Sequence, residues 1–462
     1  MQRILVLGGG FAGLWAAAGA ARKRAQLGHA ADAMEILLVD RNEYHNIRVR
    51  NYEPDLSDVI IPLTNVLDPI DVRYLQGEVR GIDPVRRMVE VATDRRSEAI
   101  TYDALVVALG SAPARPPVPG LAQHGFDVDT YTAAKKLGSH LERLAACPLS
   151  PARAIVVVAG AGFTGIEAAT EMPARLRALG IDAPRVILVD GASEVGATIG
   201  ENARPVIAQA LSALGVETRL GVRVAAIEAD RVTLSSGETI PCATLVWCTG
   251  MRASPLATAL TATPDRFGRV AVDSCMRVKE RSGVFACGDV AWSAIDGAHP
   301  TIMSCQFAQP MGRFAGHNAA ALLAGAPLLP LGIDWYVHRA RPWGVGRALH
   351  RRLGPARPRH GSRRQARETG HQLQPNLPAA LLRTRRYSCR RGSRRSGSAA
   401  TSACGRRAMN SLGAGFDAPR SQLSRRAPQA PAVAVLASRL CQSLARASLA
   451  MQALACGSIA QK

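Results

Sequence analysis

The sequence predicts an α/β fold: two Rossmann-like dinucleotide-binding domains, one inserted into the other, followed by a basic tail of low order. Three observations predict it. The spacing G-x-G-x-x-G occurs twice, in Ile4-Leu-Val-Leu-Gly8-Gly-Gly10-Phe-Ala-Gly13 and in Ile155-Val-Val-Val-Ala-Gly160-Ala-Gly162-Phe-Thr-Gly165, each between an apolar run and an Ala-rich helical stretch. Each motif is followed by an apolar strand that ends in an acid, Glu35 to Asp40 and Arg185 to Asp190. The charge is also divided. Of 57 Lys+Arg and 36 Asp+Glu, residues 337–462 hold 25 and 2, which leaves residues 1–336 at −2 in a chain of net charge +21.

Residues 1–40 read as strand, helix, strand. Gln76 to Ile82 and Met88 to Val91 alternate like strands of a small antiparallel sheet, and Tyr102 to Ser111 reads as a buried parallel strand ending in glycine. Pro113 to Pro119 is a proline-rich connector, and Thr132 to Ala146 a helix that leads into the second strand–helix–strand unit at 154–190. Strand signals recur at Arg231 to Leu234, Thr244 to Gly250 and Gly283 to Asp289, and Gln306 to Leu323 reads as a helix. The order of parts repeats, as in an internal duplication.

The glycines carry the chemistry of the two units. Gly8 and Gly160 permit the turn off the strand. Gly10 and Gly162 let the backbone approach a pyrophosphate, and Gly13 and Gly165 let the helix pack on the strand. The helix N-terminus offers N–H groups to the phosphates. Asp40 and Asp190 are placed to accept hydrogen bonds from ribose hydroxyls, and an acid at 190 favours NADH over NADPH. Two such sites in one chain suit a flavoprotein that passes hydride from a nicotinamide onto FAD. The expected organisation is 1–115 as the first part of an FAD-binding domain, 116–150 as connector and helix, 151–270 as an NAD-binding domain, 271–336 as the second FAD part, and 337–462 as the tail.

Other classes find little support. No C-x-x-C or zinc-ligand spacing occurs among the ten cysteines, and those of the body (Cys147, Cys242, Cys248, Cys275, Cys287 and Cys305) are expected to be mostly buried and reduced, as in a cytoplasmic protein. The first residues enter a strand at once, so no signal peptide is expected. No run of 18 apolar residues occurs; the stretch Ala430 to Ala455 is broken by Arg439 and Arg446.

Taken together, the motifs resemble the two-dinucleotide-binding flavoprotein superfamily and, within it, are most similar to type II NADH dehydrogenases, over residues 1–337. Ala108-Leu-Gly110 resembles the family's A-T-G strand end, Cys248-Thr-Gly250 its counterpart in the NAD domain, and Ala286-Cys-Gly288-Asp289 its G-D motif, whose Asp bonds the FAD ribityl chain. The resemblance implies FAD contacts from Gly8, Gly10, Phe11, Ala12, Gly13, Asp40, Val79, Ala108, Gly110, Gly288 and Asp289. It implies NADH contacts from Gly160, Gly162, Phe163, Thr164, Gly165, Asp190 and Gly250.

Gly165-Ile-Glu167 resembles the family's T-G-x-E and implies that Glu167 lies near the nicotinamide; an acid there is also what the dipole of a helix start favours. Cys305-Gln306-Phe-Ala308-Gln-Pro310-Met311-Gly312 keeps Gln306, Ala308 and Gly312 of the acceptor motif A-Q-x-A-x-Q-Q-G but replaces its paired glutamines. Gln306 is thus either a contact to the flavin or quinone head or a polar cap of its helix. Hydride transfer itself needs orientation rather than a protein acid.

The cysteine pairs of disulfide and thioredoxin reductases are missing, so the expected acceptor is a quinone or another small molecule; Cys147 and Cys305 could be proposed as the redox pair of a sulfide:quinone type of chemistry, but the complete second fingerprint with Asp190 argues against it. Alternatives are a reductase of a ferredoxin- or rubredoxin-like protein, and a non-catalytic flavin-binding remnant with a basic arm for nucleic acid or membrane. The resemblance further implies peripheral contact with the inner face of the cell membrane, and a homodimer is an open expectation.

The resemblance stops at Tyr336-Val337. Beyond it, codons for His371 to Pro378 can be chosen that, read one nucleotide later, give Ile-Asn-Cys-Asn-Arg-Ile-Tyr-Pro, similar to a C-terminal motif of the family. Codons for Leu349 to Pro355 can likewise be chosen to give Phe-Thr-Glu-Gly-Trp-Asp-Arg, a second such motif in family order. A frameshift near codon 338 is therefore expected. On that reading the Arg-rich, acid-poor tail reflects GC-rich DNA read off frame, and no nucleic-acid partner is expected.

Overall fold

The structure, a computed structural model, describes residues 1–332 apart from 198, 200–202 and 295–299. The expectations for 337–462 lie outside these residues.

The first unit opens with β1 (Gln2–Leu7), α1 (Phe11–Gln26) and β2 (Met34–Asp40). Next come β3 (Arg73–Gln76), the antiparallel strands β4 (Glu78–Asp83), β5 (Met88–Ala92) and β6 (Ser97–Thr101), and β7 (Ala104–Val107). The chain leaves through β8 (Ser111–Pro113). The second unit contains β9 (Gly125–Phe126), α2 (Tyr131–Ala146), β10 (Ile155–Ala159), α3 (Phe163–Ala178) and β11 (Arg185–Asp190). It continues with α4 (Arg204–Ala213), β12 (Val216–Leu220), the antiparallel β13 (Val224–Ile227), β14 (Arg231–Leu234) and β15 (Thr239–Pro241), and β16 (Thr244–Trp247). The chain returns through β17 (Met251–Ala253) to β18 (Val284–Ala286) and α5 (Cys305–Leu323).

The two units share one plan. The first sheet has the order β18-β7-β1-β2-β3 and the second β9-β16-β10-β11-β12, every pairing parallel. Each carries a three-stranded antiparallel sheet in the matching place, between β3 and β7 in the first and between β12 and β16 in the second. The antiparallel ribbon β8–β17 joins outgoing and returning chain. Strands covered on both faces must be apolar throughout, and Ile4, Leu5, Val6 and Leu7 accordingly have no exposed surface.

Three sequence readings change in detail. Gln76 to Ile82 is not one strand: it splits at Gly77, with Gln76 in the parallel sheet and Glu78 onward in the small one. A Cβ at Gly77 would lie 2.5 Å from Val91 Cγ1, so the chain passes from one sheet to the other where only glycine fits. The buried strand at Tyr102 to Ser111 is shorter, because its ladder ends at Val107. The segment 116–150 supplies β9 and α2 to the second unit, where Leu137, Leu141 and Leu144 join that unit's core, whereas Ala257 and Leu260 already belong to the first core. Thr130 caps α2, accepting the Ala133 N–H at 3.1 Å.

α1 and α5 meet backbone to backbone. A Cβ at Gly316 would overlap the Ala16 carbonyl, one at Gly312 that of Ala12, and one at Gly19 that of Arg313. This contact fixes the N-terminal end of α5 against the first glycine loop. Gly316→Ala is expected to cost about 1–3 kcal/mol, because the two helices must separate to admit the methyl group. Gly81→Ala is the control, since the nearest atom to its Cβ position is 3.6 Å away. Denaturant midpoints measure both, and equal effects would refute the close-contact account.

Candidate functional site

The two glycine loops fold alike. Gly8 and Gly160 have φ of 103° and 106°, values that favour glycine. A Cβ at Gly8 would overlap the Ala108 carbonyl, and one at Gly160 would lie 2.8 Å from the Cys248 oxygen. Gly13 and Gly165 lie so close to the carbonyls of Gly8 and Gly160 that a Cβ would overlap them. At Gly10 and Gly162, by contrast, nothing lies within 4 Å of the Cβ position. Each of these two glycines caps its helix with no side-chain cap and no acid in the first turn. Phe11 and Ala12, and Phe163 and Thr164, therefore begin their helices with N–H groups that lack intrahelical partners and face open space. Such a cradle fits a dinucleotide pyrophosphate.

The strand-end acids brace these loops. Asp40 Oδ2 accepts the Gly9 N–H at 2.6 Å and its Oδ1 that of Asn42 at 2.7 Å. Asp190 repeats the pattern with Ala161 at 2.5 Å and Ala192 at 2.7 Å. A carboxylate has about four lone-pair sites, so each keeps acceptor capacity for a ribose. The strand-end turns repeat as well. Ala108 N–H bonds the Leu7 carbonyl at 2.9 Å and Cys248 N–H the Ala159 carbonyl at 2.8 Å, while Gly110 and Gly250 have φ of 66° and 65°. Val79 follows Gly77, whose N–H bonds the Asp40 carbonyl at 2.9 Å; in the second unit Val222 N–H bonds the Asp190 carbonyl at 3.2 Å, which makes Val224 the counterpart of Val79.

The units differ in cover. Over the first loop, buried His45 places Nδ1 2.9 Å from the Gly9 carbonyl, its ring 4.8 Å from that of Phe11. Burial lowers the His45 pKa, so the ring is neutral and its Nδ1–H donates to Gly9. Leu63 lies over Gly9. Over the second loop, Phe163 is 45% exposed. His45 had no motif to announce it; only its fold position gives it a role.

Glu167 is the fifth residue of α3, hence in its second turn rather than its first. Burial, then the charges of Glu53 and Glu171, push its pKa up to about 8. The Glu167 charge also reaches the thiols of Cys248 in the second unit and Cys305 at the start of α5. Burial pushes these thiols up to about 12 and about 11, so both stay protonated at neutral pH. Cys305 senses Asp289 too. Asp289 follows Gly288 (φ 70°), whose Cβ position abuts the Ala12 methyl, and it accepts the Ser111 hydroxyl at 2.6 Å. Arg48 lies 3.5 Å from Asp289 and also pairs with Asp129, tying the two units at the ribbon.

Gln306 is the second residue of α5; Ser304, not Gln306, holds the N-cap position. Pro310 has no N–H for the Gln306 carbonyl, which frees that oxygen near the start of the helix. Cys147 is exposed at the end of α2 and is not disulfide-bonded to Cys305.

A family profile for pyridine nucleotide-disulphide oxidoreductases matches residues 2–312. An NADH dehydrogenase-like protein of Mycobacterium tuberculosis is 50% identical over 342 residues, 73% of this chain and 84% of the relative. A type II NADH:quinone oxidoreductase of Staphylococcus epidermidis is 28% identical over 344 residues, 70% of this chain and 83% of the relative. Among solved structures, a ferredoxin reductase of Rhodopseudomonas palustris superposes with a TM-score of 0.59 at 22% identity, covering 72% of this chain and 78% of that one, a likeness of fold. With its two matched glycine cradles, the chain belongs to the pyridine nucleotide-disulphide oxidoreductases, as an α/β flavoprotein that binds FAD and NAD(H).

Proposed function

We propose that this chain is an NADH:quinone oxidoreductase of the type II class. The observation that carries the reading is the pair of matched glycine cradles, each an uncapped helix start over open space with a strand-end acid bracing its loop. Bound FAD supplies the hydride acceptance and the passage of electrons onward. The chain's residues bind and orient. Gly10 and Gly162 with their helix starts hold the pyrophosphates, Asp40 and Asp190 the riboses, and Asp289 the ribityl hydroxyls. The buried imidazole over the first loop suits a retained cofactor, and the exposed Phe163 at the second suits a nucleotide that exchanges. Protonated, unpaired Cys248 and Cys305 leave no thiol route, and Gln306 borders the place where an acceptor would meet the flavin.

The likeness to a ferredoxin reductase shows that the fold alone does not choose the acceptor, so the assay must. FAD-loaded protein with NADH is expected to reduce a short-chain quinone faster than a ferredoxin or rubredoxin. Turnover with the protein acceptor alone would refute the quinone assignment.

Glu167 is proposed to sit beside the carboxamide as a neutral hydrogen-bond donor. Its carboxyl ionises only near pH 8, so kcat/KM for NADH should fall as pH rises through about 8. Glu167→Gln should abolish that step, at a cost of about tenfold or less at pH 7. The linked stability has a definite sign. With the folded value raised above the ordinary 4.5, stability is full below pH 4.5 and is lost as pH rises to about 8. Glu167→Gln should therefore gain on the wild type toward pH 9 in unfolding measurements; parallel pH profiles would remove Glu167 from this role.

Membrane contact is proposed to belong to the region after residue 337, and we propose that this region is translated off frame. Homology to the tuberculosis relative covers 84% of that protein but 73% of this chain, as a frame change near codon 338 would produce. Among the described residues no helix is long and apolar enough to cross a membrane. Sequencing the gene across codons 330–380 should show one base missing or extra; an intact frame would refute this.

A further inference from the structure

The repeat of one plan in two units exposes a charge that the duplication does not explain. In the first unit the segment after β3 is Gly77-Glu78-Val79, and in the second, one residue (Gly221) further from β12, it is Val222-Arg223-Val224. The two are matched by the same anchor, an N–H from Gly77 or Val222 to the carbonyl of the strand-end acid. Position by position, Glu78 corresponds to Arg223. Glu78 is paired with Arg80 at 2.7 Å. Arg223 forms no ion pair among the described residues, although its neighbours are paired: Glu194 with Arg204, Glu217 with Arg185 and Arg219, and Glu238 with Arg219.

Arg223 also lies against the strand end itself. The residue after Asp190 is Gly191, and a Cβ built there would lie 3.0 Å from Arg223 Nε and 3.6 Å from its Cζ. The guanidinium occupies the space that a side chain at 191 would take. In the first unit the residue after Asp40 is Arg41 and the residue matching Arg223 is the acid Glu78, itself paired with Arg80; in the second, Gly191 faces an Arg223 without an ion pair among the described residues. Asp190 does not cancel this cation by a direct pair. Both its oxygens accept backbone N–H groups, from Ala161 and Ala192.

In a Rossmann unit the strand-end acid marks the adenosine ribose, and a nearby arginine accommodates a 2′-phosphate. FAD carries no phosphate at that position, and the first unit presents an acid there. NADPH carries one, and beside Asp190, whose charge would by itself disfavour it, the second unit presents a cation that offsets the acid. We propose that Arg223 is a specificity-determining residue that contacts the 2′-phosphate, so that this chain takes NADPH as well as NADH. The proposal rests on the second glycine loop being the nicotinamide site.

The test is calorimetric titration of the FAD-loaded full-length protein with NAD⁺ and NADP⁺, for the wild type, Arg223→Leu and Arg223→Lys. Arg223 is exposed, so neither change should disturb folding. The wild type is expected to bind NADP⁺ within about tenfold of NAD⁺. Arg223→Leu should weaken NADP⁺ about tenfold or more relative to NAD⁺, as loss of a charge-assisted contact implies, and Arg223→Lys should keep part of the preference. The wild-type NADP⁺ advantage over the Leu variant should shrink with added salt. The ratio of kcat/KM for the two reduced nucleotides should move in the same direction. NAD⁺ binding with NADP⁺ refused by the wild type, or an equal effect of Arg223→Leu on both nucleotides, would overturn the proposal alone. Failure of both nucleotides to bind would overturn the nicotinamide reading as well.

Discussion

At Gly13 and Gly165 a helix lies so close to the carbonyl of the preceding loop that one methyl group would overlap it. From that contact much of the molecule follows. It sets the first turn of α1 and α3 directly above the strand ends, and so aims their unpaired N–H groups at Gly10 and Gly162. The strand-end acids then fix the loops from the other side through Gly9 and Ala161. In the first unit the same closeness continues along α1, where Ala12 and Ala16 receive Gly312 and Gly316 of α5. The start of α5, with Cys305 and Gln306, is thus positioned by backbone contact rather than by interlocking large side chains. Backbone contact tolerates little sliding, which suits an element that borders a reacting centre.

Duplication gives the two sites equal geometry, and what surrounds each makes them different. His45 and Leu63 close over the first loop, and a neutral imidazole bonded to Gly9 adds a polar latch that burial itself keeps uncharged. Over the second loop the cover is backbone instead, the Gly196 N–H on the Ala161 carbonyl at 3.2 Å, and Phe163 stands exposed at its helix start. The proposed retention of one nucleotide and exchange of the other would rest on this difference in covering residues. Glu167 lies where the two environments meet. Its burial beside Glu53 and Glu171 holds a proton at a place where an anion would be costly.

Much of this was legible in the sequence because it is local. The fingerprints, the acids at the ends of β2 and β11, the glycine-ended strands and the helices α2 and α5 are written in short windows with strong periodicity. What escaped depends on residues far apart in the chain. The strand read across Gln76 to Ile82 breaks at Gly77 because of Val91 in another strand. The edge strand Gly125–Phe126 is two residues long and joins its sheet only through β16. His45, Arg48 and Arg223 gain their roles from Gly9, Asp289 and Gly191, partners that no spacing rule connects to them. The internal repeat was the one signal that could have found Val224 and Arg223, by carrying Val79 and Glu78 across.

The division of charge along the chain gains meaning from this architecture. In the body, basic residues are matched locally: Arg3 and Arg73 by Glu35, Arg269 by Asp265, Arg277 by Asp273. The last described segment is matched as closely. Buried Asn318 exchanges hydrogen bonds with Leu329 at 2.8 Å in both directions, and Leu331 is buried in the first core with its N–H on the Ser274 carbonyl. Residues 337–462, with 25 basic and 2 acidic residues, hold too few acids for such matching. A region selected alongside the body would be expected to share its balance. The loss of balance and the end of the motif resemblance at Tyr336-Val337 are what the proposed change of reading frame near codon 338 would produce. The chemistry proposed for this chain accordingly rests on the residues before it.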